Sequence, residues 1–274
     1  MGQANDQEES AVGQLSGKVA IVTGASTGMG RAIAVTLARE GAWVAAVARS
    51  ADKLAETVAA AREASGEIAP YPADVADHER VRAIVADVVG QRGRVDILVN
   101  NAGTNTFHRN LADTSLAEWR QVLDTNLTGA YFFTREVLPH MRAAGRGTIV
   151  NITSGAGLRP SAPAGVAYSA SKHALQSLTG SINAEERRHG IRACAIAPGE
   201  TDTPNLDLRP LPPPREDRER ALSPQDIANA VLWVAAQPPH VAVELVVIGP
   251  TRQRNYQADY ERYVAAGHTA KRQD

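Results

Sequence analysis

"KVAIVTGASTGMGRAIAVTLARE", residues 18–40, is the stretch whose reading decides the fold. It opens with a short apolar run rich in β-branched side chains, "KVAIVT" (18–23). Glycines follow, and then "RAIAVTLARE" (31–40) repeats apolar positions at helical spacing. That order predicts a strand, a tight turn and a helix. The alternation recurs: "AWVAAVA" (42–48) before "SADKLAETVAAAREAS" (50–65), "EIAPYPADV" (67–75) before "DHERVRAIVADVVGQR" (77–92), "VDILVNNAG" (95–103) before a helical stretch over 115–144. "GTIVNITS" (147–154), a helix around residues 165–174, "RACAIAPG" (192–199), the helix "SPQDIANAVLWVAAQ" (223–237) and a last strand near "VAVELVVIG" (241–249) complete the series. Strands alternating with helices imply βαβ crossovers and a parallel sheet covered on both faces. The expected architecture is α/β: a single doubly wound Rossmann-type domain over 16–250, with a seven-stranded, mainly parallel sheet. Polar tails are expected at 1–15 and 251–274.

The totals agree with such a domain. Of 274 residues 43% are apolar but only 4% aromatic, so the core is to be built from Ala, Val, Leu and Ile. A formal net charge of −1 with interspersed signs offers no footprint for nucleic acid or a membrane surface. The single cysteine, Cys194, excludes an internal disulfide, fits a reducing compartment and reads as a buried strand residue. The N-terminal stretch is polar and acidic, unlike a signal peptide, and the apolar runs fall short of the ~20 residues of a membrane span. A soluble cytoplasmic protein is the expectation. None of the seven histidines forms a metal-binding spacing, so no catalytic metal is expected.

In the turn "TGASTGMG" (23–30), Gly24 suits a tight bend, while Gly28 and Gly30 let backbone amides and a helix N-terminus approach a pyrophosphate. Ser26, Thr27 and Met29 share that loop and the same expected contact. A dinucleotide usually meets an acidic side chain at the end of the second strand. Here Ala48 stands in that place and Arg49 follows, a site without a repelling carboxylate and with a guanidinium for a 2′-phosphate. NADP(H) is therefore favoured over NAD(H), although Arg49 also fits an ordinary surface position.

Six stretches in order, "TGASTGMG", "NNAG" (100–103), Asn126 in "DTNLTGA", Ser154 in "NITSGAG", "YSASK" (168–172) and "PGETDTP" (198–204), resemble the short-chain dehydrogenase/reductase family from about Lys18 to Thr251. The resemblance implies that Tyr168 is the general acid or base at a carbonyl or alcohol oxygen. Lys172, four residues on and on the same helix face, would lower the phenol's pKa and hold the nicotinamide ribose. Ser154 would position the substrate oxygen, and Asn126 would hold a water in a proton relay. For the cofactor, it implies contacts from Asp74, Val75, Asn101, Ala102, Gly103, Pro198, Gly199, Thr201 and Thr203, with Thr201 replacing a common aliphatic residue. His173 has no implied role.

The expected function is an NADP(H)-dependent oxidoreductase acting on a ketone, aldehyde or secondary alcohol, as a homodimer or homotetramer. A silent dinucleotide-binding regulator and a sugar-nucleotide epimerase or dehydratase are the alternatives. The Pro-rich, charged segment 203–222 reads as a substrate loop over the carboxyl edge of the sheet rather than a linker. Candidate substrate-wall residues are Thr104, Phe107, Gly155, Leu158, Arg159, Val166 and Glu200. Arg159 could hold a substrate carboxylate or lie solvated on a loop.

Overall fold

The computed structural model describes residues 13–207 and 209–252, together with 258, 261 and 265. The tails expected at 1–15 and 251–274 lie largely outside the described residues, as does Leu208 within the expected substrate loop.

Seven strands, β1 (Val19–Thr23), β2 (Trp43–Ala48), β3 (Glu67–Pro72), β4 (Ile97–Asn100), β5 (Gly147–Ile152), β6 (Ile191–Pro198) and β7 (Leu245–Ile248), form one sheet. Its order is β3-β2-β1-β4-β5-β6-β7 and every pairing is parallel. Helices α1 (Gly28–Arg39), α2 (Ala51–Glu63), α3 (His78–Arg92), α4 (Leu116–Leu123), α5 (Gly129–Ala144), α6 (Val166–Glu186), α7 (Arg215–Arg218) and α8 (Pro224–Ala235) connect the strands or cover the sheet. After β3 the chain returns to place β4 on the far side of β1, so the strand order reverses between β1 and β4. Ligands of open α/β sheets bind at that reversal, outside the carboxyl ends of the strands.

The strands are near-continuous apolar runs because both faces are buried. Alternate residues of β1 go to opposite cores: Ala20 and Val22 pack with Ile33 and Leu37 of α1, Leu54 of α2 and Val231 of α8. Val19 and Ile21 pack instead with Val81 and Ile84 of α3, Phe133 and Val137 of α5 and Ile182 of α6. The period of two along the strand thus splits one apolar segment between two layers of helices. Cys194 is buried in β6, where burial pushes its thiol up to about 12, far from a reactive thiolate. Among the described residues no helix is long and apolar enough to cross a membrane.

Two expectations change in detail. The helical stretch expected over 115–144 is two helices, α4 and α5, joined by a single π-turn at Asp124–Thr128. Apolar periodicity carries through the turn, so the sequence pattern does not mark the break; Asn126 sits inside it, fully buried. The segment 203–222 contains the short 3₁₀ turn Pro204–Leu206 and α7, and its ends meet where Thr201 bridges Leu222.

Phe133, among the largest fully buried side chains, anchors the α5 layer. Phe133→Ala should cost roughly 3–5 kcal/mol, read in urea as a lowered midpoint with an unchanged m-value.

Candidate active site

The carboxyl ends of β1 and β4 are joined directly. Thr23 Oγ1 accepts hydrogen bonds from the backbone N–H groups of Asn101 and Ala102, each 3.0 Å, and Asn101 Nδ2 donates to the Thr23 carbonyl at 2.9 Å. Gly24 then turns with φ +66, and a Cβ there would stand 2.8 Å from the Ala102 Cα. At Gly30 a Cβ would fall 2.0 Å from the Gly24 carbonyl oxygen, so only glycine lets the first turn of α1 close onto the strand end.

The start of α1 is left open. Ser50, Asp77, Ser115 and Ser223 cap α2, α3, α4 and α8 with side-chain hydrogen bonds, whereas Thr27 makes none for α1 and its first turn has no acidic residue. The uncapped N–H groups and the helix dipole face a neighbourhood suited to an anion. A cavity of about 300 Å³ opens there. It is lined by Gly24, Ser26, Thr27, Gly28, Met29 and Gly30 from the turn, Arg49 after β2, Asp74 and Val75 after β3, Asn101, Ala102 and Gly103 after β4, and Thr203. Asp74 is its one carboxylate, and it accepts from the Ala76 N–H at 3.0 Å. Lys53, one turn into α2, adds a second exposed cation beside Arg49; sequence reasoning missed it, though the Arg49–Lys53 interval is a helix-turn spacing that could have flagged it. Donor-rich turn, open helix end and paired cations fit a nicotinamide dinucleotide.

Met29, Thr104, Thr203 and Asn205 are shared with a second cavity of about 270 Å³, lined also by Ser154, Tyr168, Pro198, Gly199 and Thr201. Pro198, Gly199 and Thr201, expected at the cofactor, line this second cavity and not the first. Ser154 is presented by the end of β5 and caps the 3₁₀ turn Gly155–Gly157, its Oγ accepting from the Ala156 N–H at 3.2 Å. Tyr168, in the first turn of α6, lines the same cavity as Ser154. Burial raises the phenol's pKa above its ordinary 10.0, and the neighbouring Ser154 hydroxyl and the charges of Arg209 and Arg109 offset only part of that. At neutral pH the group is a protonated donor.

Lys172 lies one turn on, 3% exposed, with Nζ donating to the Ile152 carbonyl at 2.8 Å and standing 5.7 Å from the Tyr168 ring centre. The expectation that its ammonium lowers the phenol's pKa is not met in this arrangement: Nζ is turned to the end of β5, and desolvation prevails at Tyr168. Desolvation also lowers Lys172 itself, from 10.5 to about 8. Asn126 is held by its own side chain. Its Nδ2 donates to the Thr104 carbonyl and to Ser171 Oγ, both at 3.0 Å, and its Oδ1 accepts from the Thr104 N–H at 2.7 Å. The side chain is a clamp on the 103–105 segment, with both amide hydrogens engaged.

Of the expected wall residues, Thr104, Gly155, Arg159 and Glu200 line the second cavity. Phe107 and Leu158 do not; they are exposed at 54% and 40%. Val166 lines a separate apolar hollow with His173, whose Nδ1 is 2.8 Å from the Ser169 carbonyl. Arg109 and Arg209 line the reaction cavity unforeseen, each from a loop without periodicity. Arg209 pairs with buried Glu200, and Arg218 binds Asp202 and Asp207 at 2.8 and 2.5 Å, pinning the 203–222 segment over the sheet edge.

Residues 18–210 match the family model for short chain dehydrogenases. The chain is 38% identical over 244 residues to a glycine betaine reductase of Emericella nidulans, covering 87% of this chain but only 19% of that protein. It is 39% identical over 193 residues to a 3beta-hydroxysteroid dehydrogenase of Mediterraneibacter gnavus, covering 70% of this chain and 69% of the relative. A metagenomic short-chain oxidoreductase solved in complex with NADP superposes with a TM-score of 0.76 at 37% identity, over 88% of this chain and all of the other. A short chain dehydrogenase from Mycobacterium paratuberculosis bound to NAD gives 0.77 at 32% identity, over 86% of this chain and 97% of the other.

Lys172 sets a pH dependence of stability with a definite sign. Between about 8 and 10.5 the unfolded chain keeps a proton that the folded chain has released, so this group makes stability rise with pH across that window. Lys172→Met should remove that rise and stabilise the cofactor-free protein by up to about 3 kcal/mol at pH 7, read as the difference between the two proteins' denaturation curves from pH 7 to 10.5.

Proposed function

The chain belongs to the short-chain dehydrogenase/reductase family and is an oxidoreductase of the nicotinamide-dinucleotide type; from that premise we propose that it is an NADP(H)-dependent reductase of ketones or aldehydes, with Tyr168 as proton donor. The observation that carries this reading is the placing of Ser154 and Tyr168 together on the wall of a cavity that adjoins the dinucleotide cavity.

When bound, the nicotinamide supplies the hydride for the carbonyl carbon, or accepts it from an alcohol in the reverse direction. The protein's residues do the rest. Ser154 holds the carbonyl oxygen beside the phenol, a fixed geometry that replaces a chance encounter. Tyr168, kept protonated by desolvation, delivers the proton to that oxygen as negative charge develops on it. Lys172, with its pKa near 8, carries a positive charge one helical turn from the phenol at neutral pH. The protonated phenol suits the reductive direction.

Arg49 and Lys53 support NADP(H). Both are exposed cations lining the dinucleotide cavity, and the position at the end of β2 where a ribose-binding acid would stand is Ala48. A 2′-phosphate meets two cations there rather than a carboxylate.

Tyr168→Phe should lower kcat for carbonyl reduction by roughly 10²–10⁴-fold while NADPH still binds, measured by fluorescence titration of the reduced cofactor. Near-normal turnover in this variant would remove Tyr168 from the chemistry. Arg49→Asp should shift the ratio of kcat/KM for NADPH over NADH at least tenfold toward NADH, about 1.4 kcal/mol. An unchanged ratio would make Arg49 a bystander.

A further inference from the structure

The cavity at Ser154 and Tyr168 carries three guanidinium groups, those of Arg109, Arg159 and Arg209, against one carboxylate, Glu200. Their engagements differ. Glu200 is buried and its charge is answered by Arg209. Arg109 donates from Nε and Nη1 to the carbonyls of Thr106 and Pro163, at 3.1 and 3.0 Å. Arg159 is exposed, lines the cavity, and has no hydrogen bond or ion pair from its side chain among the described residues. With Glu200 neutralised by its partner, the space keeps an excess of positive charge.

Arg159 also has a fixed relation to the reacting group. Ser154 and Arg159 are presented by one compact turn, in which the N–H groups of Gly157, Leu158 and Arg159 donate to the carbonyls of Ser154 and Gly155 at 2.8, 3.2 and 3.4 Å. A hydroxyl for a carbonyl oxygen and a planar fork for a carboxylate therefore come from one short segment. A volume of about 270 Å³ suits a small molecule.

We propose that the substrate is a small oxo carboxylic acid, reduced to its hydroxy acid, whose carboxylate is held by Arg159 while its oxo group lies at Ser154 and Tyr168. This assignment rests on the reductase reading above. A guanidinium binds a carboxylate through two parallel N–H donors, and with Glu200 answered by Arg209 the positive charge of Arg159 is there to meet the anion. An ester or amide of the same acid loses the charge and half of the fork's acceptors.

The test uses the full chain with NADPH and a series of short oxo acids, each paired with its methyl ester. The acid should exceed its ester in kcat/KM by about tenfold or more, chiefly through a lower KM, and the acid's KM should rise with ionic strength. Arg159→Gln should bring the acid-to-ester ratio close to one, Arg159→Lys should restore part of it, and Arg135→Gln, an exposed change on α5 that lines neither of the two adjoining cavities, should leave it unaltered. Binding gives a second readout: with NADP present, the hydroxy acid should raise the thermal midpoint of the wild-type protein and not that of Arg159→Gln. Esters, amines or phosphorylated carbonyls preferred over the acids, or an acid-to-ester ratio unmoved by Arg159→Gln, would overturn the assignment while leaving the reductase reading in place. Turnover of neither acids, esters nor neutral ketones by a protein that binds NADPH would overturn the reductase reading and this assignment with it.

Discussion

Everything at the site depends on the bond between two strand ends. Thr23 and Asn101 are 78 residues apart in the chain, yet their hydrogen bonds tie the turn after β1 to the segment after β4. In a doubly wound sheet this is where the connections diverge to opposite faces and leave a crevice. Without a direct tie the two loops would move independently at the point where a ligand needs both. The short hydroxyl of Thr23 meets two adjacent N–H groups, and the Asn101 Nδ2 returns to the strand's own carbonyl, so these backbone groups are satisfied in place, while Asn101 Oδ1 is buried without a hydrogen-bond partner.

The second constraint is desolvation. Tyr168 and Lys172 are one helical turn apart, but what governs them is the low-dielectric floor formed by β5 and α6, rather than their mutual attraction. Burial favours the neutral form of both groups, raising the phenol and lowering the amine. The two pKa values, ordinarily close together, are thereby driven apart: a phenol that keeps its proton beside an amine that gives one up more readily than usual. An exposed pair with the same spacing would be a stable ammonium and an ordinary phenol.

The strands and the glycine turn were legible because their signals are local: β-branched runs for buried strands, glycines where backbone meets backbone, an interval of four for a shared helix face. The residues expected around the dinucleotide line one or the other of the two adjoining cavities, except Lys172, which lines neither. Arg109 and Arg209 were illegible because they reach the cavity from irregular segments, whose course is set by hydrogen bonds to Thr106, Pro163 and Glu200 and by no repeating pattern. The clamp at Asn126 was hidden for another reason. The break between α4 and α5 is a change of backbone hydrogen-bonding pattern with no glycine or proline in it to mark it, and Asn126 meets Thr104 and Ser171 from inside that π-turn. The direction of Lys172 toward Ile152 is likewise a matter of side-chain placement, below the resolution of a face-sharing argument.

The bridge between Thr201 and Leu222 has a wider meaning. It closes the 203–222 excursion at its base, so the sheet is sealed before the segment departs and after it returns. Lengthening a loop closed in this way costs little, only about 0.6 kcal/mol for each doubling of a flexible one. The scaffold and its cofactor crevice can therefore stay constant while the canopy above the reacting carbonyl is exchanged as a cassette. Selectivity in such a molecule is free to evolve on a part whose failure would not unfold the whole.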